Sequence, residues 1–186
     1  MSDFPCLPPC PTDCSSALQP VSFSPCAPEN HWGEVSKVYV GPADLPSFDV
    51  SDLAAWTYYL TTAPDEDKIR TLIGIGDMPA PEITEVATSG DRKAYGPRQY
   101  TLNFTIDETN DINYQWMQMT ACNTSYQFWF ETRDGLLYSD DMDSGIYGSI
   151  VFHQIIPRLK TELVTFVGTF KWEDTFAPHR EVSPLA

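Results

Sequence analysis

Tyr100-Thr-Leu-Asn-Phe-Thr-Ile106 decides the fold, because its side chains alternate without a break. Tyr100, Leu102, Phe104 and Ile106 lie on one side and Thr101, Asn103 and Thr105 on the other, the two-residue period of a half-buried strand. The apolar side needs a cover. Asp107 and Thr109 can cap a helix over residues 109–121 whose inward stripe is expected to be Ile112, Trp116 and Met119, with Gln115 and Gln118 left to water. After Cys122 the chain turns back into a strand, Tyr126 to Thr132, with Tyr126, Phe128 and Phe130 on one face and Gln127, Trp129 and Glu131 on the other. Asp134-Gly135 then closes a hairpin onto Leu136 to Tyr138. Two longer strands, Tyr147 to Ile156 and Glu162 to Trp172, complete the run on either side of a Pro157-Arg158 turn.

Working back towards the start, Glu34 to Val40 reads as a strand, with Val38 and Val40 on one face and Val35, Lys37 and Tyr39 on the other. A helix near 51–61 follows, with Ser51 as its N-cap and Leu53, Trp56 and Leu60 as its buried stripe. Ile69 to Ile75 and Glu82 to Thr88 are further strands, and residues 89–98 form a long loop that is the most basic stretch of the chain. Residues 1–30 hold seven prolines, so their backbone cannot form a regular ladder and is expected to lie as an extended arm along something else. Residues 174–186, with Pro178 and Pro184 and no hydrophobic period, read as a second arm. The expected fold class is mainly β with one or two flanking helices, a core over 31–173, and extended N- and C-terminal arms.

In 186 residues, 26 Asp and Glu face 11 Lys and Arg, a formal charge of −15. Such a chain lacks the clustered cations that neutralise phosphates and is expected to repel DNA. No apolar run approaches the ~18 residues of a membrane helix, and the first basic residue is Lys37, so no export signal is expected. The product is expected to stay in a cytoplasm or to leave by a route that needs no signal. Cys6, Cys10, Cys14 and Cys26 all fall in the first arm. Free thiols, disulfides formed after release, and zinc stay open for them, although gaps of three, three and eleven residues broken by prolines suit zinc poorly. Pro64-Asp65-Glu66-Asp67 reads as a solvated turn, and Asp140-Asp141-Met142-Asp143 as another that leaves calcium as a weaker option. His31, His153 and His179 have no ligand-like neighbours, and Gly74 and Gly76 are not followed by the glycine and helix of a phosphate cradle. No nucleophile, base and carboxylate fall in a recognisable pattern, so neither an enzyme nor a cofactor is expected.

The order of elements from Tyr100 to Trp172 resembles the tail tube proteins of tailed bacteriophages. Tyr100 to Ile106, the helix Asn110 to Ala121, and Phe128-Trp-Phe-Glu-Thr-Arg-Asp-Gly-Leu-Leu-Tyr138 carry that likeness. His31-Trp-Gly-Glu-Val-Ser-Lys-Val-Tyr-Val40 ahead of the Trp56 helix is similar to virion proteins of phages infecting Bacteroidetes-type bacteria. The resemblance implies a two-sheet sandwich or closed barrel flanked by a helix, built into stacked hexameric rings through which DNA passes. It further implies that loop 89–98 and the arms bridge to neighbouring copies and to other tail or neck proteins. The cysteine-rich first arm departs from that pattern.

The acidic composition suits a conduit on its own terms. Duplex DNA carries one charge per ~1.7 Å, so a basic wall would hold it and an acidic one would let it slide. Glu82, Glu85, Glu108 and Glu131, on or beside expected strands, are the candidates for that wall, and Arg92, Lys93 and Arg98 are the candidates for pairing with acidic patches on a neighbour. Two other classes stay open. One is a different virion part: a head-to-tail connector, tail-end adaptor or capsid decoration protein. The other is a carbohydrate-binding module that stacks sugars on Trp129 and Tyr126.

Overall fold

A computed structural model describes residues 33–87, 93–122, 125–159 and 161–186. The first arm, with its four cysteines, and Arg92 therefore lie outside the described residues. The strands are β1 (Val35–Pro42), β2 (Arg70–Asp77), β3 (Glu82–Ala87), β4 (Lys93–Ile106), β5 (Tyr126–Thr132), β6 (Leu136–Ser139), β7 (Ile146–Ile155), β8 (Thr165–Asp174) and β9 (His179–Val182). Helix α1 (Leu53–Thr57) runs into a π turn, Tyr58–Thr62, and α2 (Asp111–Thr120) joins β4 to β5.

Every strand pairing is antiparallel. The order β1-β2-β4-β8-β7-β5 returns to β1, because Val38, Val40 and Pro42 lie opposite Phe130, Phe128 and Tyr126, and so a six-stranded barrel closes. Closure removes the barrel's own sheet edges. β3 pairs beside the first half of β4, and β6 and β9 extend from β5. The alternation from Tyr100 to Ile106 is the barrel wall: its four apolar residues are buried inside and its polar ones face out.

The interior is aromatic. Phe104, Phe128, Phe152, Phe166, Phe170 and Trp172 fill it, with Phe152 edge-on to Phe170 at 5.7 Å. Room for that ring comes from Gly168 on the facing strand, where a Cβ would overlap the Phe152 ring. α2 closes one end of the barrel, with Trp116 5.3 Å from Phe152.

A second cluster lies on the outer side of β1, β5 and β6, under the connection from 43 to 69. Trp56 and Trp129 sit ring to ring at 5.3 Å among Tyr39, Phe48, Val50 and Leu137. Asp52, not Ser51, caps α1 by accepting from Ala54 N at 2.8 Å. Trp56 Nε1 donates to Val50 O at 2.7 Å, which satisfies the one polar atom of a fully buried ring. Leu53, placed on the buried stripe from sequence, is exposed.

Three further expectations are corrected. α2 starts at an Asn110 cap, with Asn110 Oδ1 accepting from Asn113 N at 2.8 Å, and turns Asn113, Trp116, Met117 and Thr120 inward. Ile112 and Met119 are left 77% and 68% exposed. The inward stripe can be part polar because its polar groups are satisfied locally: Asn113 Nδ2 donates to Glu108 O and Thr120 Oγ1 to Met117 O. The 89–98 stretch is not a loop throughout, since Lys93 to Arg98 belong to β4 and pair with β3. The second arm is not free either: β9 pairs with β6, Ser183 is buried, and Leu185 packs on the second cluster. The Asp134-Gly135 hairpin is present as read, with Gly135 at φ +80° donating to Thr132 O.

Candidate functional site

Among the described residues, no element packs over the outward side of β2, β4, β8 and β7, whose outward side chains are exposed or half-buried. Register sets its rows: Ile75, Thr105, Val167 and His153 lie across from one another, followed by Asp77, Asn103, Thr169 and Val151, and then by Thr101, Lys171 and Ser149. β-branched and hydroxyl side chains dominate it, as expected of strands whose opposite face is packed with aromatic rings. Its fixed charges are Asp77 in the middle row and Lys171 and Glu173 toward the β3 end. In a chain of net charge −15 this face is poor in charge. At that same end a shallow depression of about 300 Å³ is lined by Glu82, Gln99, Thr101, Ser149, Lys171 and Glu173, with Gln99 Nε2 donating to Glu173 Oε1 at 2.9 Å.

The four candidate wall carboxylates do not form one group. Glu82 and Glu85 are exposed on β3, Glu82 opposite Gln99 at the edge of the bare face. Glu108 is exposed beyond the far end of β4, where its Oε1 accepts from Asn110 Nδ2 at 2.9 Å and serves the start of α2. Glu131 is a correction. It is 3% exposed, and the alternation that points its side chain out of the barrel points it into the second cluster.

There Glu131 holds three partners. Oε1 accepts from Lys37 Nζ at 2.8 Å; Oε2 accepts from Tyr39 Oη at 2.8 Å and Ser183 Oγ at 3.0 Å. Burial, and then the Glu131 carboxylate, push the Tyr39 phenol far above its usual range, so it stays a donor. Ser183 Oγ in turn accepts from Leu185 N at 3.1 Å, so the carboxylate pins the C-terminal residues to β1 and β5. This is a structural clasp, built on Lys37 and Glu131 lying across the β1–β5 ladder.

Of the basic candidates, Lys93 begins β4 opposite Ala87, and Arg98 is exposed between Ile83 and Asp174 in the register, with no ion pair among the described residues. The sugar-stacking pair is also corrected at Trp129, which is fully buried and offers no face to a ligand, while Tyr126 is half-buried and packs against the barrel core. The Asp65 turn is held by Arg70 at 3.1 Å and Lys68 at 3.9 Å. In the other acidic turn Asp141 Oδ1 accepts from Asp143 N and Ser144 Oγ, both at 2.8 Å. Its neighbour Asp140 is pushed up to about 6 by burial, then by Asp174 and Asp141. No three His, Cys, Asp or Glu among the described residues are grouped so as to hold a metal ion, and no described helix is long and apolar enough to cross a membrane.

What sequence reading missed was the bare face as a unit. Its signal was present in the outward positions of β4, since Thr101, Asn103 and Thr105 were already separated from the buried set. No protein-family model matches the chain, and no curated protein matches it either.

Proposed function

We propose that this chain is a structural virion protein that assembles with copies of itself into stacked hexameric rings, forming the tail tube of a tailed bacteriophage and a conduit for its DNA. It works in the virion tail, is put together in the host cytoplasm, meets other tail or neck proteins at the tube ends, and carries out no catalysis. One observation carries this reading: the barrel leaves bare what a lone domain would cover. Ile112 and Met119 on α2 and Ile156 and Leu163 around the β7–β8 turn are 68–77% exposed. Exposed aliphatic side chains gathered in this way suit surfaces that copies bury against one another.

The charge pattern supports the same reading. A wall of threonine, asparagine and valine offers phosphates no cation except Lys171 among the described residues, and the acids Glu82 and Glu173 gather at one end of it. With screening over about 8 Å at physiological salt, only carboxylates at the wall itself act on a passing duplex. Glu82 and Glu85 remain in that role under this proposal, and Glu131 does not.

The test is assembly of the purified full chain at rising concentration, followed by sedimentation velocity and electron microscopy. Six-fold rings or tubes are the expected result. A chain that stays monomeric at millimolar concentration overturns the proposal, and rings that never stack favour a connector or adaptor instead.

A further inference from the structure

We propose that the outer edge of β9 in one copy pairs with the outer edge of β3 in the next, so that one subunit's sheet continues into its neighbour's; this rests on the self-assembly reading above. β9 ends the sheet order, and β3 pairs with β4 alone, so each has one edge with no strand beside it among the described residues. An open edge is a row of unused donors and acceptors, which proteins either blunt or use.

The register says which groups β9 offers. Ser183 N donates to Gly135 O at 2.8 Å, towards the β5–β6 hairpin. Antiparallel bonding alternates along a strand, so the backbone groups of Glu181 and His179 also turn to β6, and those of Arg180 and Val182 turn away. Val182 is 70% exposed there, and Ile83 on β3 is 51% exposed.

Charge selects the partner. Arg180 is exposed on β9, next to His179, and has no ion pair among the described residues, although the chain carries an excess of 15 negative charges. β3 presents the exposed Glu82. Two β9 edges would set Arg180 near Arg180, and two β3 edges would set carboxylates together, so only the head-to-tail pairing relieves charge. A head-to-tail contact that repeats by rotation closes a ring. The contact is short, and the pairing gains its strength from closure of the ring.

The decisive variant is Val182→Pro in the full chain. The lost N–H is one that β6 does not use, so thermal unfolding measured on dilute protein should stay within about 2 °C of the parent. The concentration needed for rings should rise at least about tenfold. Arg180→Glu should block rings likewise, and Arg180→Glu combined with Glu82→Arg should restore them. If Val182→Pro lowers the unfolding temperature further than that, the charge-reversal set decides alone. Rings at the parent concentration in Arg180→Glu overturn the edge pairing and leave the proposed function standing. A parent chain that never assembles overturns both.

Discussion

Replacing Glu131 by alanine separates its two assignments, wall carboxylate and internal clasp. In the clasp, the substitution strips an acceptor from Tyr39 Oη and Ser183 Oγ, both buried, and from Lys37 Nζ, whose side chain is 34% exposed. Lys37 can turn to water and loses least. Each stranded hydroxyl costs about 1–3 kcal/mol, and the emptied volume beside Tyr39 adds to that. The total is about 3–5 kcal/mol, the range for breaking one side of a buried ion pair. Against a typical whole-domain stability of about 5–15 kcal/mol, that is a large fraction. Glu131→Gln keeps one acceptor oxygen and should cost about half as much. Urea unfolding followed by tryptophan fluorescence is the assay, since Trp56 and Trp129 are both fully buried in the adjoining cluster. Ser183→Ala should cost about 1 kcal/mol alone and much less in the Glu131→Ala background, because its partner is already gone. A Glu131→Ala midpoint within about 1 kcal/mol of the parent, with additive losses in the double variant, would refute the clasp.

Four other outcomes are expected. Asp140→Asn should stabilise the protein near pH 7 but not near pH 4: the folded pKa of about 6 lies above the ordinary 3.8, so the cost of ionising Asp140 enters as pH rises through that window and persists above it. Asp140 is partly exposed, so screening limits the gain to about 1 kcal/mol, read from urea midpoints across pH 4–8. Gly168→Ala drives a methyl into the Phe152 ring and should cost about 1–3 kcal/mol in thermal unfolding, where a neutral result would mean that the ring has room to move. Tyr100→Phe removes a buried hydroxyl that has no partner among the described residues and should leave stability unchanged or raise it by about 1 kcal/mol; a loss of that size in urea unfolding would reveal a partner. Ile112→Glu with Met119→Lys should leave unfolding within about 0.5 kcal/mol of the parent yet impair assembly, and unimpaired assembly by sedimentation would remove the α2 surface from the interface.

Reading from sequence succeeded where one face of a strand meets the core and the other meets water. β4 is such a strand, and its buried set is the set read. β1 was misread for a nameable reason: the register shifts between Val35 and Lys37, which returns Val35 to the barrel interior beside Val38 and Val40. β5 misled because both of its faces are buried, a state that alternation cannot distinguish from polar-out. Gln127, Trp129 and Glu131 share the face outside the barrel, and a tryptophan between two polar residues there was the available hint that something covers it. For α2 the search for the most apolar stripe chose Ile112 and Met119, while the cap at Asn110 and the reach of Trp116 to Phe152 set the rotation that the helix adopts. The C-terminal strand gave no periodic signal because it is four residues long and held as much by Ser183 as by its apolar side chains.

Moving Glu131 inside changes the electrostatic argument as well as the fold. With that carboxylate committed to Lys37, Tyr39 and Ser183, the barrel's outward face holds few fixed charges, and its acids Glu82 and Glu173 lie where β3 meets β4 and β8. A polyanion sliding over such a face meets little attraction along most of its length, and its strongest repulsion at one end. Under the proposed assembly, direction would be built into each subunit, and rings repeating that end at a fixed spacing would make the repulsion periodic, with the neutral stretches between keeping a duplex from being pinned by any one of them.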